Sequence, residues 1–267
     1  MKTTRRTFLK TALAAGATAA TGLLIGGQFP FSNTAAQSPR RNKRRWVMVV
    51  DQDLCDGCGK CTEACISEHR VPPAWGEPSY SGSQYNGSQE WIKVFNHQES
   101  ADGTPVFQPT PCMNCQNAPC VKVCPVGATY YNEDGIVLID NTRCIGCRFC
   151  MAACPYSRRY FNWGEPSHSP DEVLIHYNPE YPVPHRRGTV EKCVFCAHRV
   201  KMGRLPACVE ACKLAGMKAL YFGDANEDVV TNGEDVVQLT DLLEKGGFRL
   251  KEELGTQPSV YYLPKRH

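Results

Sequence analysis

Sixteen cysteines fall into four groups of four, and the spacing within each group is that of thiolates wrapping an iron–sulfur cube. Cys55, Cys58, Cys61 and Cys65 read C-x2-C-x2-C-x3-C. Cys112, Cys115, Cys120 and Cys124 read C-x2-C-x4-C-x3-C-P. Cys144, Cys147, Cys150 and Cys154 repeat the first pattern with Pro155 after it, and Cys193, Cys196, Cys208 and Cys212 read C-x2-C-x11-C-x3-C. No cysteine is left over. A [4Fe–4S] cube takes four thiolates, so these ligands predict four cubes and, most simply, a wire for electrons. Two residues between ligands let the backbone curl around one corner of a cube. The fourth cysteine, three residues further on, starts a helix and points away from that cube; in two-cluster ferredoxins it ligates the other cluster and a proline follows it. Cys124-Pro125 and Cys154-Pro155 keep that proline, whereas Cys65-Ile66 and Cys212-Lys213 rest on spacing alone.

Other chemistries fit less well. Zinc ribbons use two C-x2-C pairs per metal and have no need of C-x2-C-x2-C-x3-C. Disulfide frameworks suit short secreted chains that cannot build a core, and this chain has 267 residues. A lost or three-iron cluster stays open as an alternative for any one group, although all sixteen sulfurs are present.

The elements that must position these groups form an internal duplication. Val47-Met48-Val49-Val50-Asp51 runs into the first group and Ile136-Val137-Leu138-Ile139-Asp140 into the third at the same offset, both reading as strands. Gly57-Cys58 and Gly146-Cys147 share a glycine that lets the backbone approach a cube closely. Ala118-Pro119-Cys120 matches Pro206-Ala207-Cys208, and each is followed by an expected strand, at 128–131 and 218–222. Each half therefore reads strand, group, group, strand. The halves differ by Pro-, Gly- and Ser-rich inserts: residues 70–110, enclosing a strand at Trp91–Phe95, and 157–190, with Trp163, Arg186 and Arg187. In the tail, Val236, Val237, Leu239, Leu242 and Leu243 predict one short amphipathic helix over Glu234–Lys245, packed on the core and stopped by Gly246-Gly247.

The start of the chain, Met1-Lys2-Thr3-Thr4-Arg5-Arg6-Thr7-Phe8-Leu9-Lys10, reads as a twin-arginine export signal. Thr11 to Gly27 is rich in Ala and Gly and only mildly apolar, and Thr34-Ala35-Ala36 offers a cleavage site after Ala36. Leader and cysteines explain each other: clusters are assembled in the cytoplasm, so a clustered protein working outside must cross already folded. The leader carries Lys2, Arg5, Arg6, Lys10 and no acid, which takes the net charge from +3 for the whole chain to −1 for the remainder. Nothing suggests nucleic acid. The run Arg40, Arg41, Lys43, Arg44, Arg45 reads as a solvated flank, with a partner subunit or anionic lipid as the alternative. No segment after the leader has 18 consecutive apolar residues, so no spanning helix is expected there.

The four groups in this order, with C-x2-C-x11-C-x3-C last, resemble the four-cluster iron–sulfur subunits of the DMSO reductase family over about residues 45–222. Members serve polysulfide, tetrathionate, thiosulfate and nitrite reductases. The run from Asn178-Pro179 to Arg187-Gly188-Thr189-Val190-Glu191-Lys192-Cys193 resembles in particular a subset that includes the nitrite-reductase, Dsr-complex and alternative-complex-III types; unlike versions of the last that lack one ligand, this chain keeps Cys147. The resemblance implies an α+β fold of two interleaved bacterial-type 2[4Fe–4S] ferredoxin-like modules with loop insertions and a short C-terminal helix. It implies that Cys55, Cys58, Cys61 and Cys212 hold one cube and Cys193, Cys196, Cys208 and Cys65 its neighbour. Cys112, Cys115, Cys120 and Cys154 hold a third, and Cys144, Cys147, Cys150 and Cys124 the fourth. The expected organisation is signal 1–36, basic linker 37–45, outer module 46–111 and 190–224, inner module 112–156, insert 157–189 and tail 225–267.

The same resemblance implies the partners: an integral membrane quinone-binding subunit of the polysulfide-reductase (NrfD) type, and a molybdopterin catalytic subunit, a multihaem cytochrome or both. The expected role is electron transfer between the quinone pool and that redox partner, at the periplasmic face of the cytoplasmic membrane, with a free soluble polyferredoxin as the alternative. The insert from Trp163 to Arg187 is the expected docking surface for the membrane subunit, since loops on a rigid scaffold commonly carry binding. No substrate site of the chain's own is expected: there is no G-x-G-x-x-G after a strand, P-loop, G-x-S-x-G or H-E-x-x-H. Lys60, Arg148, Lys192, His198 and Arg199 lie beside cysteines in sequence, where a cation favours the more negative reduced cluster; the competing reading is ordinary surface charge. His69 and His176 read as surface or packing residues rather than ligands.

Overall fold

The computed structural model describes residues 44–72, 89–97, 103–166 and 168–266. The leader, most of the basic run and parts of both inserts lie outside them. Residues 42–267 form one compact unit. Among the described residues no helix is long and apolar enough to cross a membrane.

Strand β1 (Trp46–Asp51) is buried on both faces, which is why its sequence is apolar throughout rather than alternating. Side chains alternate across a strand. Met48 and Val50 therefore face the core that contains the cysteines, while Val47 and Val49 face a second cluster with Tyr221, Val230, Leu239, Leu242 and Leu263. Each such side chain contributes about 1.5–3 kcal/mol by leaving water. Trp46 stacks on Phe222 at 5.3 Å, and Arg44 lies over the Trp46 ring at 5.2 Å. Arg45 donates its backbone N–H to Asp224 and its Nη2 to the Tyr261 hydroxyl. The described end of the basic run thus contacts the fold, with Arg45 half-buried and Arg44 still exposed.

Along the chain follow α1 (Lys60–His69), the hairpin β2 (Lys93–His97) and β3 (Val106–Thr110), α2 (Pro119–Lys122), β4 (Thr129–Tyr131), β5 (Val137–Ile139), α3 (Phe149–Ala152) and β6 (Tyr160–Phe161). A 3-10 turn at Glu172–Leu174 precedes β7 (Val190–Glu191), α4 (Ala197–Lys201), α5 (Ala207–Leu214) and β8 (Leu220–Asp224). The chain ends with β9 (Val229–Thr231), β10 (Val236–Gln238), α6 (Leu239–Leu243) and, after another 3-10 turn, β11 (Val260–Leu263). The mixture is α+β. One five-stranded sheet runs β10-β9-β8-β1-β11, and two-stranded sheets pair β2 with β3, β4 with β5, and β6 with β7. The strands anticipated at 47–51 and 218–222 meet as β1 and β8 in antiparallel register, Met48 opposite Phe222; those at 128–131 and 136–140 meet as β4 and β5, Tyr130 opposite Leu138.

Three local readings change. The strand expected at Trp91–Phe95 lies two residues later, because Trp91 and Ile92 are core residues at 1% exposure and the hairpin begins beyond them. The single helix expected over Glu234–Lys245 is half strand: Val236 and Val237 are β-branched and pair with Thr231 and Val230, so the helix starts only at Leu239. Its glycine stop holds, with Gly246 at φ +93° and the Gly247 N–H bonded to the Leu243 carbonyl at 2.7 Å. Beyond it, β11 adds to β1 in parallel, with Met48 beside Val260. The third change concerns Gly57 and Gly146, both in the left-handed region at φ +80° and +70°. A Cβ at Gly57 would strike the Phe107 ring at 2.4 Å, and one at Gly146 the Gly188 carbonyl oxygen at 2.3 Å. In this structure glycine is required there for φ and for the insert packed over each loop.

Candidate functional site

Four short helices carry the cysteines in pairs four residues apart. Residues i and i+4 share a helix face one turn apart. On α1 the pair is Cys61 and Cys65, and on α5 it is Cys208 and Cys212. α1 packs against α5. Cys120 lies on α2 with Cys124 just beyond its end, and Cys150 on α3 with Cys154 just beyond; these two helices also touch. One turn of helix therefore separates each pair, and its two sulfurs go to different neighbourhoods.

All sixteen cysteines fall into four sets of four. Burial pushes the Cys61 thiol up to about 12, and the charges of Cys55, Cys212 and Cys58 add to it. Cys65 is fully buried and raised well above the ordinary thiol value, first by burial and then by Cys193, Cys196 and Cys208. Cys115 is pushed up to about 12 by burial and then by Cys112, Cys120 and Cys154 among its neighbours. Cys124, Cys144, Cys147 and Cys150 line one small cavity. The sets stand in sequence. Cys61 lies beside Cys65 and Cys208, Cys193 lies beside Cys112, and Arg159 lies beside both Cys120 and Cys150.

The residues fit iron–sulfur cubes. Clustered thiols whose charges oppose one another resist ionising together unless a cation sits among them. Among the described residues no group of three His, Cys, Asp or Glu side chains is arranged to hold a single metal ion; a cube instead spreads its thiolates over four irons. N–H groups already point at sulfur: Ala219 N to Cys212 Sγ at 3.2 Å, and Thr129, Val126 and Ala128 around Cys124. Burial works against the Cys124 thiolate, but those backbone donors outweigh it and hold its pKa below the ordinary value. Arg159 Nη2 is buried without a hydrogen-bond partner, and the nearest charges acting on the guanidinium are those of the thiols.

The cations anticipated from sequence divide. Lys192 is 1% exposed and donates Nζ to the Cys193 carbonyl at 2.7 Å. Arg199 is buried between Glu68 and Glu210, while His198 bonds Glu68 at 2.8 Å and exposed Lys60 pairs with Glu63. Arg148 lines the cavity with Cys147 and Cys150 and has φ +61°, where the first group has Gly59 at +73°. Its guanidinium lies 4.5 Å from the Trp163 ring centroid and 5.2 Å from that of Phe161, so the insert holds it in place. Ile145, Phe149 and Trp163 are more than half exposed around this end.

One residue was missed by the sequence reading, and one read as packing also contacts a cysteine. Arg159 had no ligand beside it in sequence. His69 was read as surface or packing; it is packed, fully buried against Trp91 and His198, and its Nε2 lies 3.2 Å from Cys196 Sγ. Burial, then His198, His185 and Arg199, push its pKa well down, so the ring is neutral and hydrogen-bonds the sulfur through Nε2. His176 is exposed. The segment before Cys193 is fixed by a buried pair: His185 Nδ1 bonds Glu191 at 2.8 Å, and its Nε2 bonds the His69 carbonyl at 2.9 Å. Burial alone would lower the His185 pKa, but the Glu191 carboxylate overrides it and raises it.

Comparison with known proteins agrees with this chemistry. Two 4Fe-4S dicluster domain families match, one over residues 54–128 and one over 104–169 and 177–225. The chain is 42% identical over 234 residues to a subunit of the selenate reductase of Mesobacillus selenatarsenatis, covering 83% of this chain and 73% of that protein. It is 40% identical to the iron–sulfur cluster-binding subunit of menaquinone reductase of Nitratidesulfovibrio vulgaris, covering 84% and 90%. It is 34% identical to one of the chains of the polysulfide reductase of Wolinella succinogenes, covering 84% and 96%.

Proposed function

The chain belongs to the 4Fe-4S dicluster iron–sulfur subunits of the DMSO and polysulfide reductase family, and we propose from this that it relays electrons between a quinone-binding membrane subunit and a catalytic or redox subunit of a respiratory complex. Bound [4Fe–4S] clusters supply the one-electron redox centres. We assign Cys55, Cys58, Cys61 and Cys212 to the first, Cys193, Cys196, Cys208 and Cys65 to the second, Cys112, Cys115, Cys120 and Cys154 to the third, and Cys144, Cys147, Cys150 and Cys124 to the fourth. In this reading the modules are interleaved, the inner one inserted in the outer. The chain acts outside the cytoplasmic membrane after twin-arginine export. The observation that carries it is the continuity of the four cysteine sets, each joined to the next by a shared helix turn or neighbouring sulfurs. Anaerobically purified protein is expected to hold about sixteen irons and about sixteen sulfides per chain. A zinc-dominated composition, or about half that iron, would sink the four-cube assignment.

Val183 is fully buried and the Tyr177 hydroxyl accepts the Asn141 N–H at 2.6 Å, so part of the 157–189 insert is structural. Its partner-facing portion is Trp163, 55% exposed and joined through Arg148 to the fourth set. Truncating an aromatic anchor of an interface costs at least about 2 kcal/mol, roughly thirtyfold in affinity. Trp163→Ser is therefore expected to slow cluster reduction by a quinol analogue in the reconstituted complex at least about tenfold, with dithionite reduction unchanged. Equal quinol-dependent rates would move the membrane contact to the 70–110 insert or the basic run.

A further inference from the structure

Arg159 occupies the junction between the third and fourth cysteine sets. It follows Cys154 by five residues, outside both groups, and no motif marks it. Its side chain folds back between the sets and is 4% exposed. Nη1 reaches Thr129 Oγ1 at 3.4 Å, while Nη2 is buried with no hydrogen-bond partner. Among the described residues no carboxylate forms an ion pair with it; the groups acting on its charge are Cys120, Cys150, Cys112 and Cys154. The guanidinium lies close enough to act on the sulfurs of both Cys120 and Cys150. A buried guanidinium without a carboxylate is costly unless other negative charge compensates it. Here cluster-bound thiolates of two different sets would supply that charge.

We propose that Arg159 is a shared positioning residue that stabilises the one-electron-reduced state at both the third and the fourth centres, keeping their potentials high and close together. The inference rests on the ligand assignment proposed above. The fork geometry suits it: a planar guanidinium offers N–H groups in two directions, where an ammonium is a compact point charge. With clusters bound, Arg159 would keep its proton and present one fixed cation to both centres, so an electron passing between them would need no accompanying proton there. Lys192, beside Cys193 and Cys120, gives the third set a second buried cation, whereas the fourth set has Arg159 and the solvent-facing Arg148.

The test is redox-poised EPR on the purified full-length holoprotein, with signals assigned through Cys115→Ser and Cys147→Ser and iron measured on every sample. Arg159→Gln is expected to keep about sixteen irons and to lower the midpoints of those two centres only. The reduced-to-oxidised ratio at fixed potential should fall at least about tenfold, which is about 59 mV for one electron. Arg159→Lys should lower the same two by less. Unchanged midpoints, a shift in one centre alone, or an equal shift in all four would overturn the proposal. If the Gln variant sheds iron, the Lys variant is read alone by the same criteria. Iron loss in both would mean a structural role and overturn it. Wild-type protein with far fewer than about sixteen irons would instead show that the ligand assignment itself had failed.

Discussion

Cys65→Ala is expected to remove the signal of the centre held by Cys193, Cys196 and Cys208, and to leave intact the one held by Cys55, Cys58 and Cys61. Sequence order argues for the opposite, since Cys65 is four residues from Cys61. The helix decides otherwise. Cys65 sits one turn further along α1 and is fully buried among Cys193, Cys196 and Cys208. Cys212 is the reciprocal case: it stands one turn from Cys208 on α5, but the thiol charges beside it are those of Cys55, Cys58 and Cys61. Removing one of four thiolates leaves an iron without its ligand, so the effect is loss or conversion of one cube, about four irons of about sixteen. The measurement compares EPR spectra and iron content of Cys65→Ala with Cys193→Ala and Cys55→Ala. Cys65→Ala should match the former and Cys212→Ala the latter. If Cys65→Ala matched Cys55→Ala, the crossed assignment would be wrong.

Ligand chemistry was legible in the sequence because cluster binding imposes spacing. A loop around a cube must present thiolates with two residues between them, and a partner-directed thiolate must follow one helical turn later. Strands β1, β4, β5 and β8 were legible for the same local reason, as short β-branched or aromatic runs flanking the cysteine groups. What lay outside reach was set by long-range packing. Val236 and Val237 sit at spacings that suit a helix face, yet their pairing with β9 makes them a strand. Val260-Tyr261-Tyr262-Leu263 is β-branched and aromatic and carried a strand signal that passed unused; its place beside β1 comes only from the fold. Arg159 and His69 show the same limit in the site. Neither is adjacent in sequence to the cysteines it serves. A buried arginine with no carboxylate partner becomes informative only once the fold shows which charges surround it.

Replacing Arg5 and Arg6 together by lysine is expected to leave a precursor in the cytoplasm that already holds its clusters. The leader lies outside the described residues, so the argument rests on the physics of the cargo. β1 near the start of the fold pairs with β8 and β11 near its end, and the first cysteine set is completed by Cys212. The sheet and the two sites that use the fourth cysteine group therefore form only once the chain has been synthesised past Cys212. A route that threads unfolded chain would have to dismantle the sheet and every cube, and the thiols would emerge into a compartment that favours disulfides. Export after folding avoids both, and paired arginines are the signal for it. Charge alone does not account for this choice, since lysine keeps the positive charge. The double variant should deplete the exported pool while the cytoplasmic precursor shows the cluster EPR signals of the wild type. Fractionation with matched EPR reads both. Normal export of the double variant would refute the twin-arginine reading. Retention of a precursor without clusters would show that cluster loading depends on the leader, contrary to the order of events that the fold implies.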